Sequence, residues 1–248
     1  MKMFSSIFVL FMFIGLSAIA AERPNIVFIL VDDMGYGDVG AHGNTVIKTP
    51  NVDQLHSESV RFTNFCVSPT CAPTRAALLS GKHEFKTGVS HTILQRNLMA
   101  LEATTIADVM KGAGYATGMF GKWHLGMKPK YRPHRRGFDV GLTDAQDAQE
   151  HHYDPVLQRN GVEEKHDGYR TDIFFNEAMK WIEQKKDDSF FCYIPTYSPH
   201  SPLIVPEKYT ALYPDHEKEV KQFLGMMTNV DENIGRLRAH IEKLGLKN

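Results

Sequence analysis

The feature that most constrains the fold is a continuous apolar run, NIVFILV, at residues 25–31. Pro24 precedes this run, and Asp32 and Asp33 end it. A short apolar run without alternating polar residues is typical of a strand that is buried on both faces of a parallel sheet. Because parallel strands need helical crossovers that cover the sheet, the run predicts an α/β protein.

Further along the chain, helix and strand patterns alternate. Capping residues and three-four spacing predict helices over residues 50–58, 73–80 and 104–112, and two later ones around residues 174–185 and 220–244. Apolar runs predict strands over residues 60–65, 115–120 and 190–196, whereas residues 128–167 predict long loops. We expect a three-layer α/β/α fold with a mainly parallel sheet and ligands at the carboxyl ends of its strands.

The first twenty residues have the pattern of a signal peptide. Lys2 provides the positive charge, residues 7–14 form the apolar core, and Ala18-Ile19-Ala20 is a small-x-small cleavage site. We predict cleavage before Ala21 and an exported protein, with an uncleaved anchor as the alternative. No later segment is apolar enough to span a bilayer, so no stable membrane insertion is expected after cleavage. The 28 basic and 29 acidic residues nearly cancel, which gives no indication of nucleic acid binding.

The chain has three cysteines, so at least one stays unpaired whatever the connectivity. Cys66 could pair with Cys192, but the sequence does not decide this. Cys71 opens the segment CAPTR at residues 71–75, at the start of a predicted helix. Free N–H groups and the helix dipole favour an anion there, and Arg75 offers a fixed positive fork for an oxyanion. The alternative for Cys71 is a buried thiol or half of a disulfide.

Two more groups follow predicted strands. Asp32 and Asp33 are hard oxygen donors that suit Ca²⁺ or Mg²⁺, unless they form only an acidic turn. Lys122 and His124 leave a strand end on the same side, and the imidazole can take a proton near neutral pH. The alternative for this pair is a basic loop.

Two histidine segments are less specific. His200 lies between two prolines in SPHSP, where a plain turn residue is the alternative to a site residue. His151, His152 and Tyr153 could line a substrate pocket, but a solvated loop is the preferred interpretation.

Together these segments resemble the type I sulfatases of the alkaline phosphatase-like superfamily. The resemblance runs from Arg23 to Asn248 and rests mainly on CAPTR, GKWHLG at residues 121–126 and DDMGYGD at residues 32–38. The segments RGFD at 136–139, PEKY at 206–209 and NVDENIGRL at 229–237 also resemble this family. We therefore expect residues 1–20 to be the signal peptide and residues 21–248 the N-terminal portion of a sulfatase catalytic domain.

The resemblance implies a role for each site residue. A formylglycine-generating maturation enzyme would oxidise Cys71 to formylglycine (3-oxoalanine), whose hydrate is the nucleophile. Arg75 would hold this hydrate, Lys122 would pair with the sulfate, His124 would act as the base and His200 would contact the leaving oxygen. Asp32, Asp33 and the group at position 71 would bind calcium, with magnesium as the alternative. Thr74 departs from the family's commoner serine.

Family members are longer than this chain. They continue into a strand with an Asp-Asn pair that completes the calcium site, and then into a lysine near the leaving group. Ca²⁺ takes about 6–8 oxygen ligands, so water would complete a weaker shell here. We therefore expect the chain to be a C-terminally truncated fragment of a longer reading frame, or a protein that has lost the activity.

Two classes of function follow. The first is an exported, arylsulfatase-like sulfuric ester hydrolase that acts on a sulfated small molecule or glycan. The second is an inert partial domain that binds sulfated glycans through Arg75, Lys122 and the basic segment 128–136. A phosphoester hydrolase of the same superfamily is a further alternative, but such enzymes usually carry Ser or Thr where this chain has Cys71.

Overall fold

A computed structural model describes residues 23–145 and 151–246. Within these residues one sheet has six strands, β1 (Ile26–Leu30), β2 (Ala116–Phe120), β3 (Val140–Asp144), β4 (Val156–Arg159), β5 (Val162–Lys165) and β6 (Phe190–Pro195). Their order is β1-β6-β2-β3-β4-β5. The first four strands in this order run parallel, and β4 and β5 extend the sheet as an antiparallel hairpin. The predicted mainly parallel sheet is confirmed.

Helices cover both faces of this sheet. They are α1 (Pro50–Ser57), α2 (Cys71–Ser80), α3 (Ile106–Gly112), α4 (Arg170–Gln184), α5 (Glu207–Thr210) and α6 (Lys218–Lys243). A hydrophobic core lies on each face of the sheet, because successive side chains of a strand point to opposite faces. On β6, Phe190, Cys192 and Ile194 pack with α4 and α6, whereas Phe191 and Tyr193 pack with α2 and α3. The three-layer α/β/α architecture is therefore also confirmed.

The predicted strand over residues 60–65 is wrong. These residues form no regular element, and the side chains of Val60, Phe62 and Phe65 are exposed. A strand is held by the hydrogen bonds of a neighbour, and no other strand in the described part of the chain pairs with this segment.

The predicted long loops over residues 128–167 are also partly wrong, because this stretch contains β3, β4 and β5. The hairpin of β4 and β5 turns through Asn160 and Gly161, which have φ angles of 50° and 95°. Asn-Gly is the preferred pair for a two-residue hairpin turn with positive φ at both positions. The signal was present in the sequence, but the polar strands around it lack an apolar period.

Helix boundaries differ from the predictions by a few residues. The most consequential shift is in α2, which begins at Cys71 rather than at Pro73. Thr105, at the start of the helix predicted over residues 104–112, caps α3 in a reciprocal capping box with Asp108. Cys66 is exposed and Cys192 is buried, and both are free thiols, so the two do not pair in this structure.

The predicted signal peptide, residues 1–20, lies outside the described residues. Among the helices that the structure does describe, none combines the length and apolar character that crossing a bilayer requires.

We expect Trp181→Ala to lower the free energy of unfolding by about 3–5 kcal/mol, because it removes a large buried ring from the core. Trp181 is 5% exposed and packs against the rings of Phe120 and Phe190. Urea denaturation followed by circular dichroism measures the loss. Phe62→Ala is the matched control, since Phe62 is 78% exposed and its loss should stay within about 0.5 kcal/mol. Equal losses in the two variants would contradict this assignment of the core.

Candidate active site

The carboxyl ends of three adjacent parallel strands form the candidate site. Asp32 and Asp33 follow β1, Lys122 and His124 follow β2, and His200 lies in the loop after β6. Because β6 lies between β1 and β2, these strand ends are neighbours at one edge of the sheet. The N-terminus of α2 adds Cys71 and Arg75, so the structure assembles all the predicted site residues at this edge.

Asp32 is the centre of a buried ion network. Its two carboxylate oxygens lie 3.4 Å from Nη2 of Arg75 and 2.5 Å from Nζ of Lys122. All three side chains are at most 5% exposed. Burial alone would raise the pKa of Asp32, but the charges of Arg75 and Lys122 outweigh it and hold this pKa below its usual value. The carboxylate therefore stays ionised between the two cations.

Arg75 links the helix to the strand ends. Its Nη1 donates to the carbonyl oxygen of Lys122 over 2.7 Å, and its Nη2 lies 3.5 Å from that of Thr196. Its Nε is buried without a hydrogen-bond partner among the described residues. The guanidinium therefore fixes the start of α2 against the ends of β1, β2 and β6 at once.

Cys71 is half-buried at the first residue of α2. Its Sγ lies 3.3 Å from Nδ1 of His124 and 3.9 Å from Nζ of Lys122. The group at position 71 is thus within reach of one candidate base and one cation.

Thr74 keeps the local hydrogen bonding that a serine would provide. Its hydroxyl lies 2.9 Å from the carbonyl oxygens of Ser68 and Thr70. These contacts anchor the segment that leads into α2.

The tautomer of His124 follows from its surroundings. Its Nε2 lies 2.9 Å from the carbonyl oxygen of Thr92, which can only accept, so Nε2 carries the proton. In the neutral ring Nδ1 is therefore the acceptor, and it faces Cys71. His124 also has a φ of 59°, in the left-handed region that non-glycine residues rarely adopt. Such conformations cluster at functional sites.

Asp33 and His200 form the exposed side of the site. Asp33 also has a left-handed φ, of 62°, and its side chain is 57% exposed. Its carboxylate lies 3.8 Å from Nε2 of His200, whose Nδ1 donates to the carbonyl oxygen of Ser201 over 2.6 Å. The His200 ring is thus oriented with Nε2 toward the site.

Asp32 and Asp33 are the type of ligand that a hard divalent cation prefers, but two carboxylates are too few to complete its coordination shell. Carboxylate oxygens are the donors that Ca²⁺ prefers, but Ca²⁺ takes about 6–8 of them. Across the described ranges, no group of three His, Cys, Asp or Glu side chains has the arrangement of a metal site. The predicted ligand set with position 71 therefore stays a prediction.

Comparisons with known proteins identify the family of the chain. The family model described as Sulfatase matches residues 24–248. The chain belongs to the sulfatase family. This sulfatase chain is 31% identical to Arylsulfatase J of Mus musculus over 250 aligned residues, which cover 92% of the chain and 41% of that relative. It is 47% identical to Arylsulfatase G of Rattus norvegicus over 122 residues, which cover 48% of the chain and 23% of that relative.

Among solved structures, the sulfatase chain is similar to the crystal structure of Ps i-CgsB in complex with k-i-k-neocarrahexaose. The TM-score is 0.82 at 28% identity, over 91% of this chain and 56% of that one. Arylsulfatase J and the crystal structure both match more than nine-tenths of the sulfatase chain. The chain itself spans only about half the length of each of these two proteins.

The structure adds residues beside the candidate site that sequence reasoning missed. Tyr197 lies under Lys122, whose Nζ is 4.9 Å from the centre of the ring, and Cζ of Arg170 is 3.8 Å from the same centre. Asp144, at the end of β3, lies 3.4 Å from Nη1 of Arg170. No motif contains these three residues, and only their positions at strand and helix ends could have indicated them.

His152 corrects the prediction of a solvated loop, because it is only 2% exposed. Its ring stacks on Tyr169, and a hydrogen bond joins it to the backbone of Pro202. Burial, together with the positive charge of Arg170, lowers the pKa of His152 to about 4. His151 and Tyr153 are exposed.

The basic segment 128–136 is likewise no uniform cationic surface. Arg132 and Arg136 are buried. Arg132 donates to the backbone carbonyl groups of Asp144 and Ala145. Arg136 donates to those of Met99, Ala100 and Ala103. Their charges therefore serve the fold, which weakens the case for a glycan site on this segment.

We expect Gly121→Ala to lower the free energy of unfolding by at least about 2 kcal/mol. Gly121 has a φ of 144°, and a Cβ there would lie 1.9 Å from the carbonyl oxygen of Pro195. The added methyl would push the end of β2 away from β6 and so displace Lys122. Gly37→Ala is the matched control, because nothing lies within 4 Å of a Cβ at that position. Urea denaturation compares the two, and a Gly121→Ala variant as stable as Gly37→Ala would refute the close approach.

Proposed function

We propose that this protein, with position 71 converted to formylglycine, hydrolyses sulfuric esters. The observation that carries the proposal is the position of Cys71 at the start of α2, with Nδ1 of His124 at 3.3 Å and Nζ of Lys122 at 3.9 Å. Membership of the sulfatase family and the similarity to two arylsulfatases support it. In this proposal the cysteine sulfur stands in for the hydroxyl oxygens of the hydrated aldehyde.

A formylglycine-generating maturation enzyme, with its own oxidant, would convert Cys71 to the aldehyde. Water adds to the aldehyde and gives a carbon with two hydroxyl groups. One hydroxyl oxygen attacks sulfur and loses its proton to solvent, and the bond from sulfur to the ester oxygen breaks. The alcohol leaves with the Nε2 proton of His200 in its imidazolium form. The product of this step is a sulfate ester of the hydrate.

His124 completes the cycle. Its Nδ1 takes the proton of the second hydroxyl group, the carbon–oxygen bond to sulfate breaks, and the aldehyde re-forms as sulfate departs. This role needs an unprotonated Nδ1, which the contact of Nε2 with the carbonyl oxygen of Thr92 favours. A general base of this kind typically contributes a factor of about 10²–10⁴ to the rate.

Arg75 and Lys122 would bind the sulfate oxygens and oppose the charge that develops on them. Both are nearly inaccessible to solvent, at 1% and 2% exposed, so their charges are weakly screened. Asp32 and Asp33 would hold a calcium ion, with magnesium as the alternative, and the bound ion would add positive charge against the sulfate oxygens.

Sulfated saccharides and aryl sulfates are the substrate classes to test. Support for saccharides comes from the neocarrahexaose complex of the similar crystal structure, and support for aryl sulfates from the names of the arylsulfatase relatives. We further propose export through the signal peptide over residues 1–20.

A phosphoester hydrolase and an inert glycan-binding domain are the alternatives. Cys71 disfavours the first, because hydrolases of that class usually carry Ser or Thr. The buried arginines of segment 128–136 disfavour the second.

We expect Cys71→Ala to abolish hydrolysis of 4-nitrophenyl sulfate by protein produced with its maturation enzyme, because the variant lacks the nucleophile. Mass spectrometry of the peptide that contains position 71 should show the aldehyde in active protein. Cys66→Ala is the matched control and should retain activity, since Cys66 is an exposed free thiol. Full activity of protein with an unmodified cysteine at position 71 would contradict the proposal.

We expect His200→Ala to slow hydrolysis of alkyl sulfates by about 10²-fold or more, and that of aryl sulfates with acidic phenols far less. The physical reason is that a poor leaving group needs the proton that His200 supplies. Rates for a series of esters with leaving groups of graded acidity measure the effect. His216→Ala, a change outside the site, should leave the series unchanged. Equal slowing for all leaving groups would assign His200 to substrate binding instead.

A further inference from the structure

The side chain of Lys122 lies between a carboxylate and an aromatic ring. Its Nζ is 2.5 Å from Oδ2 of Asp32 and 4.9 Å from the centre of the Tyr197 ring. Lys122 is 2% exposed and Tyr197 is 6% exposed, so water does not separate these groups. An ammonium within about 6 Å of a ring centre is attracted to the ring, most strongly where both are desolvated.

The Tyr197 ring is itself held by a second buried ion pair. Cζ of Arg170 lies 3.8 Å from the ring centre, and Nη1 of Arg170 lies 3.4 Å from Oδ1 of Asp144. Asp144 also accepts a hydrogen bond from the side chain of Tyr197. Arg170 is 1% exposed and Asp144 is 5% exposed, so water cannot replace either partner of this ion pair unless the core opens.

These contacts come from four different parts of the fold. Asp144 ends β3, Arg170 begins α4, and Tyr197 and Lys122 follow β6 and β2. The carbonyl oxygen of Asp144 accepts a further hydrogen bond of 2.8 Å from Nη1 of Arg132. The ring is therefore fixed on the framework of the sheet rather than on a free loop.

A fixed ring matters because lysine is flexible. Its four-carbon stem and point charge have no preferred direction, in contrast to the planar fork of arginine. Catalysis by charge stabilisation depends on donors that are oriented before the substrate arrives. Asp32 alone attracts the ammonium but does not decide from which side it approaches.

We propose that Tyr197 is a positioning residue for the site: its ring fixes the ammonium of Lys122 against the sulfate position, and Arg170 and Asp144 hold the ring. The inference rests on the proposed function and adds residues that carry no motif. Tyr197 acts through Lys122, since its own ring is almost completely buried.

A double-mutant cycle tests this coupling. Tyr197→Leu, Lys122→Met and the double variant are prepared with the full chain and its maturation enzyme, and kcat and KM are measured with 4-nitrophenyl sulfate. We expect Tyr197→Leu to lower kcat/KM about tenfold, and the double variant to be no slower than Lys122→Met alone. Tyr197→Phe keeps the ring but loses the hydrogen bond to Asp144, so it should recover part of the loss. Additive losses, or no recovery by phenylalanine, would overturn the inference.

Tyr213→Leu is the matched control. Tyr213 is also buried, and Nζ of Lys48 lies 5.7 Å from its ring centre, but both residues lie outside the site. Its effect should add to that of Lys122→Met without coupling. If Tyr197→Leu does not fold by circular dichroism, Tyr197→Met, whose flexible side chain adapts better to an irregular cavity, takes its place in the cycle.

A second measurement separates the proposed ester hydrolysis from the positioning role of Tyr197. The dissociation constant of inorganic sulfate is measured by calorimetry for the same set of variants. Coupled sulfate binding without any ester hydrolysis would overturn the proposed function and support the positioning role. Ester hydrolysis by the wild type, with additive effects of the Tyr197 and Lys122 substitutions, would support the proposed function and overturn the positioning role. A wild-type protein that neither binds sulfate nor hydrolyses esters would overturn both.

Discussion

The contact on which the site depends is the buried carboxylate of Asp32 between Arg75 and Lys122. It joins the ends of two strands and the start of α2 through charges that are almost completely removed from water. Removing one partner from such a network typically costs about 3–5 kcal/mol, because the other charge is left buried and unpaired. A hydrophobic replacement would often be at least as stable, so the presence of this network is weak evidence for a stabilising role.

Much of the fold could be predicted from the sequence, because its main signals are local. The apolar run of β1 and the three-four spacing of α6 each depend on residues that lie close together in the sequence. The errors arose where the outcome depends on distant partners. Residues 60–65 have strand-forming side chains but no strand beside them in the described part of the chain, whereas the polar strands β4 and β5 form because β3 offers an edge.

The candidate site shows the same division. Asp32, Cys71, Lys122 and His124 belong to short motifs, and the structure brings them together at the predicted edge of the sheet. Their arrangement depends on β6 lying between β1 and β2, and strand order is not visible in local patterns. The same holds for the contact of Asp144 with Arg170, since only the folded chain brings the end of β3 to the start of α4.

The strand order also has a consequence for the timing of synthesis. β1 pairs with β6 in the register of Ile26 with Phe191, and Arg75 contacts the carbonyl oxygen of Thr196, so the pocket around Cys71 cannot close before this part of the chain exists. At about 5–20 residues per second, the roughly 120 residues between Cys71 and the end of β6 take on the order of ten seconds to make. During that interval Cys71 belongs to an open peptide. During synthesis the segment CAPTR is therefore accessible without the folded surface that later surrounds it.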